Sequence, residues 1–268
     1  MRAREKRGRP RGRRHRGLWL ALLAAAVGLL VLWHPAAQQP GVRQPGVRLH
    51  SGRPVQRHIV AVDSGHGGQD TGAQGLVAET QVTQETARQL LALLENDPAY
   101  TPVRVHADDE QLSPQERVQA AAQANAELFL SIHANRDSSA ASYGFECFAV
   151  PPGRDWHAES LNFARMICAE MAAAGARIRG TDGVRYAYYR GGAKTMKEST
   201  DTTVYGAPTF GVLQQAACPA VLVEQCFLSS TEDLEAWGDE DGCAAAAACY
   251  YRAICAYFGT TPCGPSAG

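Results

Sequence analysis

The fold is predicted most directly by residues 58–79, HIVAVDSGHGGQDTGAQGLVAE. This segment begins with His58 and four apolar residues, Ile-Val-Ala-Val at 59–62, and this largely β-branched run predicts a buried strand. Glycines then flank His66, and glycine lets a backbone turn tightly around a small group because it accepts positive φ. Glu79 begins a helical pattern of apolar residues. We therefore expect His66 and Glu79 at the carboxyl end of a sheet, where α/β proteins bind their ligands.

The spacing of these glycines disfavours two common phosphate-binding motifs. A dinucleotide fingerprint needs G-x-G-x-x-G, but counting from Gly65 the last position of that pattern is Asp70. A P-loop ends in Gly-Lys-Ser/Thr, and residues 58–79 contain no lysine. A nucleotide-binding α/β protein is thus disfavoured, and a flexible loop with an ordinary surface histidine is the alternative for this segment.

Apolar runs alternate with helical patterns through the rest of the chain. Strands are predicted at residues 103–105, 127–133, 144–150 and 220–223, and helices at 79–96, 113–125, 156–175, from 230 and at 243–258. Residues 176–210 give no clear pattern. The alternation predicts an α/β domain with a mostly parallel twisted sheet of about five to six strands and helices on both faces.

The N-terminal segment differs sharply from the rest in composition. Residues 1–17 hold nine Lys/Arg and one acidic residue, and the apolar run LWLALLAAAVGLLVLW follows at 18–33. A basic segment before an apolar one is typical of a signal peptide or a membrane anchor. We expect a transmembrane signal anchor over residues 18–34, with residues 1–17 in the cytoplasm and the following domain outside it, as in a single-pass protein of the cell membrane.

A linker, one domain and a short tail are expected after the anchor. Residues 35–57 contain QPGVR twice and predict a disordered linker, before one α/β domain over 58–260 and a tail over 261–268. Residues 58–268 carry 13 Lys/Arg against 26 Asp/Glu. This acidic excess disfavours a nucleic-acid partner, because phosphate backbones are bound by basic surfaces.

Eight cysteines are present, and none forms a C-x-x-C pair. A zinc ribbon or a thioredoxin-like site is therefore disfavoured. Four cysteines lie in apolar runs and are expected as buried thiols: Cys147, Cys168, Cys218 and Cys226. Pairing among the cysteines between Cys243 and Cys263 stays open.

Three predicted strands lead into side chains that can take part in metal chemistry. His66 follows the first strand, His133 ends the second, and Glu224 follows the strand at 220–223. Two histidines and one carboxylate are a common ligand set for catalytic zinc, and a further carboxylate can act as general base. Each residue alone also has an ordinary role, such as capping a strand or a helix dipole. Their shared position at one sheet edge, with Glu79 beside it, favours a metal site.

Four blocks of sequence resemble the zinc-dependent N-acetylmuramoyl-L-alanine amidases. They are VDSGHGGQDTGAQG at 62–75, the glutamate at 79, FLSIHAN at 129–135 and PAVLVEQCFLSSTED at 219–233. The similarity spans about residues 58–258, and the blocks occur in the family's order. The chain departs from the family pattern at Ser64, at residues 225–226 and at Ser230, none of which is an expected ligand.

The resemblance implies roles for individual residues. His66, Glu79 and His133 match the ligands of one zinc ion per chain, and Glu224 matches the catalytic glutamate. Arg117 matches an arginine common in the family, and its role is left open. The implied reaction is hydrolysis of the amide bond between N-acetylmuramic acid and L-alanine in peptidoglycan, during remodelling of the cell wall or the spore cortex.

The basic N-terminus and single hydrophobic segment also resemble the membrane-anchored amidases of spore-forming bacteria, including those that act in germination. Two alternatives remain: a non-catalytic peptidoglycan-binding module, and another zinc metallopeptidase. The second is disfavoured because neither H-E-x-x-H nor H-x-x-E at His66 occurs. Whether a protein activator is needed stays open, and we expect substrate selectivity to depend on residues 176–210.

Overall fold

The computed structural model describes residues 57–263. They form a seven-stranded sheet with helices on both faces. The strands are β1 (His58–Ser64), β2 (Tyr100–Arg104), β3 (Leu128–Asn135), β4 (Glu146–Ala149), β5 (Val184–Arg190), β6 (Ala193–Glu198) and β7 (Ala220–Phe227). The helices are α1 (Glu79–Glu95), α2 (Pro114–Gln123), α3 (His157–Ala173), α4 (Gly211–Gln214), α5 (Thr231–Trp237) and α6 (Glu240–Phe258).

The strand order in the sheet is β2-β1-β3-β7-β4-β5-β6. Four neighbouring pairs are parallel, whereas β4 pairs with β7 and β5 pairs with β6 in antiparallel fashion. The predicted α/β class with a mostly parallel sheet is confirmed. The sheet has seven strands rather than five or six. The two additional strands, β5 and β6, lie in residues 176–210, where no long apolar run marks them. The β6 sequence AKTMKE is polar because this strand forms an exposed edge.

Alternating side chains of the sheet build two separate cores. Val60 and Val62 of β1 pack in the core that includes α1, α3 and α6, whereas Ala61 packs in the core that includes α2 and α4. The period of two along a strand sends successive side chains to opposite faces. By the same alternation, His133 on β3 and Glu224 on β7 lie on the α2/α4 face of the sheet.

Two strands continue past their predicted ends. β3 runs to Asn135 and β7 runs to Phe227, so His133 and Glu224 lie within strands rather than at their ends. The ladder continues because these residues remain paired across the two strands, with a register irregularity after His133. The predicted start of α2 is observed: Ser113 accepts a hydrogen bond from the Glu116 backbone N–H, which satisfies a free donor of the first turn.

The expected anchor over residues 18–34 and the linker over 35–57, apart from Arg57, lie outside the described residues. Among residues 57–263, no helix is long and apolar enough to cross a membrane. The cysteines at 147, 168, 218 and 226 are buried thiols, as predicted. All eight cysteines are free, including the group from Cys243 to Cys263 whose pairing the sequence left open.

Candidate metal centre

The loop after β1 wraps closely around two imidazoles and one carboxylate. A Cβ at Gly65 would lie 2.5 Å from atoms of the His133 ring, and a Cβ at Gly72 would lie 2.6 Å from both Glu79 Oε2 and His66 Cδ2. Gly72 also has a φ of 67°, which glycine adopts without strain. His66 itself has a φ of 67°, an unusual backbone for a residue with a side chain. Glycine is therefore needed here for close approach as well as for the turn.

The three predicted ligands come together at the N-terminal start of α1. Glu79 Oε2 lies 3.1 Å from His66 Nε2, and Glu79 Oε1 lies 2.9 Å from His133 Nδ1. One ligand atom from each residue can be chosen so that all three lie within 4.8 Å of one another. Two imidazole nitrogens and a carboxylate oxygen form a donor set that suits zinc and leaves a coordination position for water or substrate. The residues present therefore fit a single metal ion.

The electrostatics of this group keep its carboxylate ionised. Burial opposes the charge of Glu79, but hydrogen bonds with His133 and His66 hold the pKa of Glu79 well below its usual range. Burial likewise disfavours the charged form of His66, yet the hydrogen bonds and charges of Glu79 and Asp70 raise the pKa of His66 to about 9. A cation between the ligands would take the place of the imidazole protons and make the same attractive contacts.

Asp70 orients the first histidine and was not identified from the sequence. Its Oδ2 lies 2.8 Å from His66 Nδ1, and its Oδ1 accepts a hydrogen bond from the Gly72 backbone N–H. A carboxylate on Nδ1 fixes the ring and directs Nε2 toward the metal position, as in other carboxylate–histidine–metal arrangements. The available signal was the spacing His-x-x-x-Asp within a turn.

Glu224 lies beside the ligand group on the neighbouring strand. It is in register with His133 across the β3–β7 ladder, and only 9% of its surface is exposed. Burial raises the pKa of Glu224 to about 7, with the negative charges of Glu79 and Glu146 acting in the same direction and the charges of His133 and Lys194 opposing them. A carboxylate with a pKa near neutrality can both accept and return a proton at physiological pH.

A buried ionic network fastens α2 to the end of β1. Arg117 donates from Nη1 to Asp63 Oδ1 and to the Ser64 carbonyl, both at 2.8 Å, and from Nη2 to the His66 carbonyl at 2.7 Å. Ser131 and His106 also contact Asp63. Burial disfavours the charged carboxylate, but these partners lower the pKa of Asp63. Arg117 thus acts as a positioning residue for the loop that carries His66.

His106 belongs to this network and was missed in the sequence. Its side chain is fully buried, and its Nε2 lies 2.8 Å from the Ser64 carbonyl oxygen and 2.7 Å from Arg117 Nη1. It follows the second strand by only two residues. Its position after a strand at the same sheet edge is the signal that could have identified it.

A cavity of about 160 Å³ opens beside the ligand group. Its walls combine the ligand loop with α2 and the start of α4: Asp63, His66, Asp70, Leu112, Pro114, Arg117, His133, Phe210, Gly211, Val212 and Leu222. Cys226 is instead buried in a small core with Val82 and Ala134. Phe210, from residues 176–210, therefore faces the centre, whereas the cysteine near Glu224 in sequence does not line it.

A compact two-histidine, one-carboxylate group with a nearby buried glutamate, set on an α/β sheet, is the arrangement of a metal-dependent hydrolase. The sequence model of the N-acetylmuramoyl-L-alanine amidase family matches residues 60–256. The chain belongs to this family.

Individual relatives agree with that assignment. The N-acetylmuramoyl-L-alanine amidase LytC of Bacillus subtilis is 33% identical over 182 residues, 67% of this chain and 31% of LytC. The sporulation-specific N-acetylmuramoyl-L-alanine amidase of the same species is 30% identical over 65% of this chain and 58% of that protein. The matched part of the chain thus spans about a third of the length of LytC and less than two thirds of the length of the sporulation-specific amidase.

A solved structure supports the fold. The catalytic domain of CwlV, an N-acetylmuramoyl-L-alanine amidase from Bacillus (Paenibacillus) polymyxa var. colistinus, is 27% identical, with a TM-score of 0.61 over 76% of this chain and 99% of that domain. The described α/β domain therefore shares the fold of that catalytic domain over nearly all of its length.

Proposed function

We propose that the chain hydrolyses the amide bond between the lactyl group of N-acetylmuramic acid and L-alanine in peptidoglycan, with one zinc ion bound by His66, Glu79 and His133. The observation that carries this proposal is the convergence of the three ligands next to Glu224 in a member of the amidase family. Zinc at this position supplies Lewis-acid polarisation of the substrate carbonyl and of water.

Glu224 is the proposed general base and acid. Its carboxylate accepts a proton as water adds to the acyl carbon, and it returns that proton to the leaving amine when the C–N bond breaks. The products are a lactyl carboxylate and a free amino group on L-alanine. The pKa of about 7 suits both transfers, since the group is readily deprotonated and reprotonated near neutral pH. Arg117 and Asp70 hold the first ligand in place while this happens.

The test combines metal content with product release from purified full-length protein. We expect one zinc per chain and chelator-sensitive release of peptides that begin with L-alanine. Glu224→Gln should keep its zinc and lose activity by about 10²–10⁴-fold, the usual contribution of a general base. His66→Ala should lose both zinc and activity.

Glu235→Gln is the matched control for Glu224→Gln, because Glu235 is exposed on α5. It should keep both zinc and activity. Full activity in Glu224→Gln would refute the proposed role of that residue. Absence of zinc and of peptide release from the unaltered protein would favour a non-catalytic peptidoglycan-binding module.

We also propose that residues 18–34 anchor the protein in the cell membrane and place the catalytic domain outside the cytoplasm. The support is the sequence pattern, a strongly basic segment followed by an uninterrupted apolar run. The full chain should sediment with membranes and resist extraction with high salt, whereas a chain that begins at residue 50 should be released. Equal behaviour of the two chains would refute the anchor.

Within this activity, we further propose that the protein acts in remodelling of the spore cortex. It is supported by the likeness to the sporulation-specific relative. Comparing peptide release from vegetative and spore peptidoglycan tests it: faster release from spore material is expected, and equal or slower release contradicts it. Activity on both only after adding a second protein from the same cells would reveal the activator that the sequence left open.

A further inference from the structure

A second cavity lies on the opposite face of the sheet from the metal centre. It has a volume of about 220 Å³ and is bounded by β5, β6 and the segment that follows: Tyr188, Arg190, Thr195, Lys197, Tyr205 and Ala207. Tyr188 packs in the same core as α1, α3 and α6, whereas Glu224 and His133 lie on the α2/α4 face. The cavity is therefore separate from the site described above.

The hydroxyl of Tyr188 is the unusual feature of this cavity. Tyr188 is 4% exposed, and its buried hydroxyl has no hydrogen-bond partner among the described residues. Leaving a buried polar group unpaired is costly, so such a group calls for an explanation. Burial raises the pKa of Tyr188, and the phenol is therefore protonated and able to donate.

The Arg154 guanidinium lies beside Tyr188 and acts on this phenol as a charge and a donor, but it cannot accept the proton. The Arg154 guanidinium carbon lies 5.8 Å from the centroid of the Tyr188 ring, and its Nη2 donates to the Ala207 carbonyl and to Gln214 Oε1. A guanidinium has donors only. The hydroxyl thus lacks an acceptor, and an external ligand that enters the cavity would have to supply one.

The charged side chains around the cavity indicate that this acceptor belongs to an anion. Lys197 is half-exposed and lies 3.8 Å from Asp201 Oδ2, a long contact for an ion pair, while Arg190 on the same side of the β5–β6 pair is exposed. Asp201 is already engaged, since it accepts hydrogen bonds from the Tyr205 hydroxyl and the Thr203 backbone N–H. Lys197 and Arg190 line the cavity, Arg154 lies beside the Tyr188 ring, and the Asp201 carboxylate is already occupied, so the cavity attracts an anion.

We propose that this cavity is a binding site for a carboxylate group. The Tyr188 hydroxyl would donate to one carboxylate oxygen, Lys197 would contribute an ammonium, and the Tyr205 ring would pack against the carbon atoms that bear the group. The cavity is smaller than the roughly 300–1,000 Å³ of sites that enclose a drug-sized ligand. It therefore admits the charged end of a ligand whose remainder stays in solvent.

The ligand that fits best is the lactyl carboxylate of a muramic acid that has lost its peptide, and this identification rests on the proposed function. Hydrolysis there breaks the amide C–N bond and leaves this carboxylate on the glycan strand. A site on the far face of the sheet would hold an already cleaved strand while the metal centre acts on another. The carboxylate at the end of a stem peptide has the same chemistry and is a separate arm of the test.

The test measures binding rather than turnover, so it is independent of whether the proposed hydrolysis occurs. Full-length protein is titrated with N-acetylmuramic acid and with N-acetylglucosamine, which differ by the lactyl group, and with D-alanyl-D-alanine as a peptide carboxylate. Calorimetry should show binding of N-acetylmuramic acid and none of N-acetylglucosamine. Tyr188→Phe and Lys197→Gln should each weaken that binding by about tenfold or more, since each removes one hydrogen bond to a charged group.

Tyr189→Phe is the matched control, because Tyr189 is the next residue on β5 and packs on the other face of the sheet against Phe210. It should bind N-acetylmuramic acid unchanged. Tyr188→Phe loses only an unpaired hydroxyl, so its thermal midpoint without ligand should match or exceed that of the unaltered protein.

Each outcome decides the proposal. Binding of D-alanyl-D-alanine alone, with the same loss in Tyr188→Phe, would keep the carboxylate site and change its ligand to a peptide end. Equal binding of N-acetylglucosamine, no binding of any probe, or a loss confined to Tyr189→Phe would overturn it. If Tyr188→Phe fails to fold, Lys197→Gln on the half-exposed rim gives the same decision.

Discussion

Glu224 carries a stability cost that follows from its burial on β7. Its pKa is raised from 4.5 to about 7, so the folded protein holds this proton at pH values where the unfolded chain has released it. Stability therefore falls as the pH rises from about 4.5 to about 7, and the full loss is present above that range. The difference corresponds to about 3 kcal/mol.

Glu224→Gln should remove that pH dependence. In chelated protein, the free energy of unfolding of the variant relative to the unaltered chain should increase by about 2.5 kcal/mol between pH 5 and pH 8, because glutamine stays neutral throughout. Urea unfolding at the two pH values measures it. The cost of burying the glutamine amide is the same at both pH values. It therefore cancels when the change in unfolding free energy between them is compared. Glu235→Gln, on an exposed face, should show no such change, and a parallel pair of curves for Glu224→Gln would contradict the raised pKa.

The buried ion pair between Arg117 and Asp63 joins helix α2 to strand β1. This contact between elements supports the conformation of the loop that carries His66. Asp63 is completely buried, and Arg117 is 5% exposed. Breaking a buried pair on one side leaves an uncompensated charge, which typically costs 3–5 kcal/mol. Arg117→Met should therefore destabilise the protein by about 3–5 kcal/mol in denaturant unfolding.

A double-mutant cycle separates the pair from simple loss of packing. Asp63→Asn should recover part of the loss when it is added to Arg117→Met, since the buried charge is then gone. Arg252→Met is the matched control, because Arg252 pairs with Glu170 at 2.6 Å on a partly exposed surface and should cost no more than about 1 kcal/mol. Additive effects of the two substitutions at 63 and 117 would show that the ion pair is not what couples these elements.

The elements that were predicted from the sequence are those with a strong local signal. Helix α1 shows apolar residues at helical spacing, and Val82, Leu90 and Leu94 are fully buried as that spacing predicts. The capped start of α2 was recognised for the same reason, because the cap is made by residues three apart. Strand β5 was missed because its sequence VRYAYYR mixes arginines and tyrosines with small apolar residues, although it lies inside the sheet between β4 and β6. Strand β6 was missed because it forms the sheet edge, and an edge strand needs no apolar run.

The site was predicted only in outline because its geometry depends on how strands that are distant in the sequence pair in the sheet. The four residues His66, Glu79, His133 and Glu224 come from separate segments, and their types alone indicated metal chemistry. That Glu224 lies in register with His133 follows from the order of β3 and β7, which the sequence does not state. Asp70 and His106 were missed because a polar residue in a loop has many ordinary uses, and only the folded geometry shows what it contacts.

At the scale of the whole molecule, the acidic charge of the catalytic domain sets how it approaches its proposed substrate. Residues 58–268 carry 13 basic and 26 acidic side chains, and peptidoglycan stem peptides carry carboxylates. Like charges repel over the screening length, which shrinks from about 30 Å at 0.01 M salt to about 8 Å at 0.15 M. The kcat/KM for intact peptidoglycan should therefore rise several-fold over this range.

A small substrate whose carboxylates are amidated is the control for that rise, because repulsion acts only on a charged substrate. Its kcat/KM should change little with salt, and kcat should change little for either substrate, since screening acts on the encounter rather than on the bound complex. A fall in kcat/KM with salt would instead mean that local cations dominate the approach. Lys194, which lies over the Phe148 and Phe210 rings near the metal centre, is the first side chain to test in that case. If Lys194→Gln then removed the fall, attraction at the cavity would outweigh the net charge of the domain.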